Sequence, residues 1–131
     1  MYLADTNIFL EALLDQKKAQ TVRLFLERTD PADIFMTDLA LHSIGIILFR
    51  LKAHSLFVAF LEDMVIGGIG LLSLSPDDVK GVAEVAQKFG LDFDDAYQYR
   101  AADLNDLEII SFDRDFDRTE RGRKEPQEVI R

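Results

Sequence analysis

Among the aspartates of this 131-residue chain, three separated sets stand beside apolar runs: Asp5, the pair Asp94 and Asp95, and Asp113 with Asp115 and Asp117 at alternate positions after it. Asp5 directly follows the apolar "YLA", Asp94 and Asp95 open "DDAYQYRAA", and Asp113 lies two residues beyond the short apolar run 108–111. Carboxylates gathered at one point raise each other's pKa unless a cation sits between them. Hard oxygen donors of this kind select Mg²⁺ or Mn²⁺. Each acid also has a plainer reading. Asp5 with Thr6 suits a helix cap. Asp92 and Asp95 have the spacing of a capping box at a helix start, Asp113 suits a turn, and Asp115 and Asp117 suit a solvated loop. The cation reading gains force only if the fold brings the separated acids together.

The elements that must do this are visible as pattern. Residues 2–4, 33–36, 70–74 and 108–111 read as strands, with a short last strand at Val129-Ile130. Helical spacing of apolar residues covers 6–14, 16–28, 38–52, 55–66 and 76–89, and a further helix runs from Asp94 to Asp103. Ser75 is placed to cap the helix at 76–89, and Gly90 to stop it. Strands alternating with helices predict an α/β fold over 1–131, a single domain whose central, mostly parallel β-sheet is flanked by helices on both faces. In such sheets the working site lies at the carboxyl ends of the strands. Asp5 and Asp113 fall there, and the helix opened by Asp94 and Asp95 leads into the strand before Asp113.

Composition narrows the classes further. The chain has no cysteine, which excludes disulfides and thiolate metal sites and fits a reducing cytoplasm. No secretory signal is expected at the start, and the apolar run 39–49, interrupted by His42 and Ser43, is too short to span a bilayer. The formal charge of −9 is uneven: residues 92–117 hold nine acids against Arg100 and Arg114, whereas 118–131 hold five bases against three acids. The acidic part attracts cations or a basic partner protein rather than nucleic acid.

Taken in order, "YLADTNIFLEALL", "LDFDDAYQYRAA" and "IISFDRDF" resemble the opening, central and closing motifs of the PIN domain family. The resemblance covers nearly the whole chain. It implies a metal-dependent ribonuclease, most often the VapC-type toxin of a toxin–antitoxin pair. Asp5, Asp95 and Asp113 would be the catalytic metal ligands, with Mg²⁺ or Mn²⁺ activating water against a phosphodiester. Asn7 and Ser111 would give polar support, with Thr6, Ser43, Asp94 and Asp115 beside them. RNA would be the substrate, gripped at the rim by Arg100, Arg114 and Arg118. A basic antitoxin would be the partner, and the apolar stretch 39–66 would pair two copies as a homodimer, with no membrane involved.

One position departs from the pattern. The family carries a Glu about six residues after the Ser or Thr that ends the second strand, and here that count from Thr37 reaches Ser43. Asp38 cannot substitute, because five helical residues separate the two by about 7.5 Å and about 140° of rotation. Three carboxylates balance less charge than two divalent ions bring, so one metal is expected to bind better than two. The alternative reading is therefore a non-catalytic or weakened PIN module that binds RNA or a partner protein. A phosphotransfer domain using Asp5 is a third class, but Asn7 stands where the haloacid-dehalogenase pattern needs a second Asp.

Overall fold

The chain starts in the middle of its sheet. In the computed structural model, which describes residues 1–130, β1 (Tyr2–Ala4) lies between β2 (Ile34–Thr37) and β4 (Glu108–Ile110), with β3 (Gly70–Leu72) beyond β2. The order is β3-β2-β1-β4 and every pairing is parallel: Leu3 lies opposite Phe35 on one side and Ile109 on the other. From β1 the chain winds outward through β2 and β3, then crosses back to place β4 on the far side of β1. The winding direction thus reverses at β1. A parallel sheet opens a crevice at that reversal, beyond the carboxyl ends of its strands.

Period-two alternation assigns each strand residue to one of two cores. Ala4, Ile34, Met36 and Ile110 pack with Ile8, Phe9, Val22, Phe25, Ile44, Leu48 and Phe60. These come from α1 (Thr6–Leu13), α2 (Ala19–Arg28), α3 (Asp38–Arg50) and α4 (His54–Phe60). Leu3 and Ile109 face the other way, onto Val82, Ala96, Ala101, Ala102 and Phe116. Here α5 (Pro76–Phe89) and α6 (Phe93–Leu104) supply the cover. Helices on both faces of a parallel sheet bear out the expected α/β class.

The helix ends follow their local chemistry. Ser75 accepts from the Asp78 amide at 3.2 Å to cap α5, and Gly90 closes it in the left-handed conformation, φ 67°. α2 begins at Ala19 rather than Gln16, because Asp15 turns the chain at φ 50°. The helix expected over 55–66 is α4 followed by a wider π-helical turn, Leu61–Ile66. At Gly67, just after it, a β carbon would collide with the Asp63 carbonyl oxygen.

Two expectations need correction. Val129-Ile130 is not a strand. Pro126 and the reciprocal bonding of Glu125 with Glu128 make a tight turn there, the Glu125 amide donating to Glu128 Oε2 at 2.7 Å. Val129 and Ile130 pack onto the first core instead. The edge of β4 is met by Lys124, whose amide donates to Ile109 O (2.9 Å) and whose carbonyl accepts from the Ser111 amide (3.0 Å). Nor is α3 covered over most of its surface, as its apolar composition suggests. Ala40, Ile44 and Leu48 are buried, but Ile46 and Phe49 are each about half exposed, at 53% and 51%. No helix among the described residues is long and apolar enough to cross a membrane.

Candidate active site

β1 delivers Asp5 to the crevice. Its amide extends the ladder by donating to Ile110 O at 3.0 Å, and its Oδ1 caps α1 by accepting from the Thr6 amide at 2.8 Å. The cap reading of Asp5 is therefore correct, and it accounts for only part of the side chain. Gln98 Nε2 donates to the same oxygen at 3.0 Å. The Ser111 hydroxyl donates to Oδ2 at 2.7 Å, and Asn7 Nδ2 reaches Oδ2 at 3.4 Å. Burial pushes the Asp5 carboxyl above its ordinary value; bonds from Ser111, Gln98 and Thr6 pull it down, and the charge of Asp113 pushes it up again.

Those donors form a network across the sheet ends. The buried Gln98 amide oxygen accepts from the Thr37 hydroxyl at 2.6 Å, so it joins the end of β2 to the end of β1. Ser111, fully buried, accepts from the Asp113 amide at 2.9 Å. Asn7 donates to the Ser111 hydroxyl oxygen at 3.2 Å and accepts from the Phe112 amide at 3.2 Å. A buried polar network satisfied in this way holds its members in one arrangement.

Asp95 arrives on the first turn of α6, where Asp92 caps the helix by accepting from the Asp95 amide at 2.9 Å. Asp113 arrives from β4, and its Oδ1 accepts from the Asp115 amide at 2.9 Å to start the next turn. One carboxylate oxygen from each of Asp95, Asp113 and Asp115 lies within 4.8 Å of the others. Among the described residues this is the one such group. Asp95 feels the crowding: burial, then the charges of Asp113 and Asp92, a hydrogen bond with Asp113 and the charge of Asp5 push its carboxyl up to about 8. Three acidic oxygens at that separation, one of them on a group that its like-charged neighbours drive to keep its proton, are a donor set that a hard divalent cation fits by displacing that proton.

These residues line a cleft of about 540 Å³. Asp5, Thr6, Asn7, Asp94, Asp95, Asp113, Asp115 and Ser43 all border it, and Ser111 lies beneath. The separated acids thus converge, with one shift of emphasis. Asp115, which reads from sequence as an outer residue, stands within the tight carboxylate group, while Asp5 stands behind it with both oxygens engaged by donors. Asp38 is elsewhere, as the rotation argument expects, accepting from the Tyr97 hydroxyl at 2.8 Å. Ser43 faces the cleft, and α3 contributes no acid to it.

The basic residues divide differently. Arg100 does not border the cleft: its guanidinium lies over Gly81 and its Nε donates to Asp78 O at 3.3 Å. Arg118 is paired with Asp115 at 3.1 Å. Arg114 is exposed on the turn after Asp113 and does not line the cleft. Among the described residues the base that does line it is Arg50, which sequence reasoning passed over, as it did Gln98. Gln98 had a signal: three residues after Asp95, it is an amide on the face of a helix that packs inward. Arg50 also had one, seven residues after Ser43 and so on the same helical face.

A parallel α/β domain with its carboxylates at the winding reversal defines a class, and comparison with known proteins names it. The model of the PIN domain family matches residues 2–122, and the chain belongs to that family. VapC20 of Mycobacterium tuberculosis, described as a sarcin-ricin loop cleaving toxin, is similar in structure with a TM-score of 0.74 at 14% identity, over 86% of this chain and 90% of that one. FitAcB of Neisseria gonorrhoeae superposes with a TM-score of 0.75 at 18% identity, over 98% of this chain and 100% of that one. A toxin–antitoxin complex from Klebsiella pneumoniae gives 0.68 at 18% identity, over 86% and 87% respectively. No curated protein matches the sequence.

Proposed function

We propose that the protein is a Mg²⁺- or Mn²⁺-dependent endoribonuclease and the toxin of a toxin–antitoxin pair. The observation that carries this reading is the meeting of Asp95, Asp113 and Asp115 oxygens within 4.8 Å in an open cleft of a PIN fold. A divalent ion bound there would lower the pKa of an attacking water and offset charge on the phosphodiester. Asp95, Asp113 and Asp115 would hold it. Asp5, fixed by Ser111, Gln98, Asn7 and Thr6, would keep a carboxylate behind that group, acting on the ion directly or through water. Asp94 at the rim is free to meet a second ion through water. With Ser43 neutral, the first ion binds more tightly than the second.

The partner reading follows from charge and surface. Among the described residues, six aspartates line the cleft against one arginine, which suits a basic antitoxin segment. Beside the cleft, and sharing Ile46 with it, lies an apolar groove formed by Leu41, His42, Gly45, Phe49, Phe57 and Leu61. The toxin–antitoxin complexes among the structural neighbours support an antitoxin here. Exposed Phe49, Leu51, Leu56 and Val58 support pairing of two copies through α3 and α4. The lack of cysteine fits work in a reducing cytoplasm.

A second reading, a PIN module that binds without cutting, is favoured by Ser43 alone. Purified protein incubated with RNA and Mn²⁺ separates the two. Cleavage abolished by Asp95→Asn supports the enzyme; intact RNA, with no ion bound at millimolar Mn²⁺ by calorimetry, supports the module.

A further inference from the structure

The cleft presents an electrostatic problem to an RNA strand. Its floor is acidic, and an ion held by the carboxylates offsets charge only where it sits. Neighbouring phosphates of the same strand still face Asp92, Asp94 and the remaining charge of the group. Of the bases expected at the rim, Arg118 is engaged with Asp115, Arg100 is turned onto α5, and Arg114, though exposed, does not line the cleft. Arg121 and Arg123 are likewise committed to acids, at 2.8–3.1 Å.

Arg50 combines what none of these does. It is exposed, it lines the cleft, and no carboxylate lies within 4.0 Å of it among the described residues. Its place in the last turn of α3 suits the negative end of the helix dipole, but that explains only the presence of a base, not its direction. Direction comes from periodicity. Ser43, Ile46, Ile47 and Arg50 are spaced to share one face of α3, and all four border the cleft. Arg50 lies about 10 Å along the helix from Ser43, with Ile46 and Ile47 between them. Leu10 joins these two from α1. The wall therefore runs from a neutral hydroxyl through apolar surface to a free guanidinium. Sugar or base can rest on the apolar part while the guanidinium meets a phosphate.

We infer that Arg50 binds an RNA phosphate neighbouring the one over the carboxylates, and so sets the direction in which the strand crosses the cleft. The inference rests on the ribonuclease reading for its substrate, but it concerns binding and is separable from cleavage. A guanidinium takes two phosphate oxygens at once, which fixes orientation as well as charge.

The test measures binding of a short fluorescein-labelled single-stranded RNA by anisotropy, with Ca²⁺ in place of the activating ion, between about 50 and 200 mM salt. Unaltered protein, Arg50→Ala and Arg50→Lys are compared, with thermal melts to show that each is folded. Losing one phosphate contact should reduce the slope of log K against log salt by about 0.7. Arg50→Lys, which keeps the charge, should restore most of that slope. In cleavage assays with Mn²⁺, Arg50→Ala should raise KM and leave kcat unchanged. An unchanged slope in Arg50→Ala overturns this inference and leaves the nuclease intact. A reduced slope in a protein that never cleaves supports the inference and removes the enzyme reading. No RNA binding by the unaltered protein overturns both.

Discussion

Replacing Asp95 by Asn should make the metal-free protein more stable and the metal-loaded protein less stable than the unaltered chain. The Asp95 carboxyl is raised from 3.8 to about 8. A raised folded-state pKa means that the folded protein holds this proton more tightly than the unfolded chain does. Stability is therefore full below pH about 4, declines as pH rises through the window from 3.8 to about 8, and stays low above it. At 1.36 kcal/mol per unit the ceiling is about 6 kcal/mol. Water in the open cleft screens much of this, which leaves about 1–3 kcal/mol. The substituted amide carries no charge and can donate to Asp113 where the proton was shared. At about 4 °C per kcal/mol for a domain of this size, Asp95→Asn should melt roughly 4–12 °C higher in EDTA at pH 8.5. With Mn²⁺ at a hundredfold excess over its Kd, the unaltered chain gains about 2.7 kcal/mol and the variant, lacking a ligand, much less. The order of melting temperatures should then narrow or reverse. Scanning fluorimetry at pH 5, 7 and 8.5, with EDTA or Mn²⁺, reads both effects. If Asp95→Asn melts at or below the unaltered protein in EDTA at pH 8.5, the carboxylates do not crowd one another and the metal argument fails.

Three further outcomes are expected. Ser43→Glu adds an acid to the α3 face of the cleft, so it should lower the melting temperature in EDTA and strengthen binding of a second Mn²⁺ in calorimetric titration. Gln98→Ala leaves Asp5 and the Thr37 hydroxyl each short of a buried partner, which should cost about 1–3 kcal/mol in urea denaturation. The same variant should bind Mn²⁺ more weakly, because Asp5 loses one of its four donors. Phe116 is fully buried and anchors the turn that carries Asp113 and Asp115, so Phe116→Ala should cost about 3–5 kcal/mol and also weaken metal binding.

Where the chain's pattern was periodic or bounded by strong signals, the fold was legible. The four strands and the helices between them follow from alternating and helical spacing, and Ser75, Pro76 and Gly90 bound α5. Asp5 and Asp113 could be placed from strand order alone, because a parallel sheet puts its strand ends together. What was not legible depends on partners distant in sequence. Whether Asp5 or Asp115 stands closest to Asp95 is set by the turn after Asp113, which sequence spacing does not describe. Arg100, Arg114 and Arg118 are near the acids in sequence, but each helix or turn directs them away or pairs them with acids. Arg50 is far from every aspartate of the cleft except through α3 packing. Val129 and Ile130 have strand-forming side chains, yet Pro126 and its flanking glutamates turn the backbone first.

Lys124 has a practical consequence for anyone handling this protein. By pairing with Ile109 and Ser111 it clips the tail onto the sheet directly behind the residue that orients Asp5. Trimming the chain ahead of Lys124, or fusing a bulky tag so that this clip opens, would leave Ser111 without its amide partner. The damage would then surface at the same end of the strand, where Ser111 holds Asp5, as weakened cation uptake.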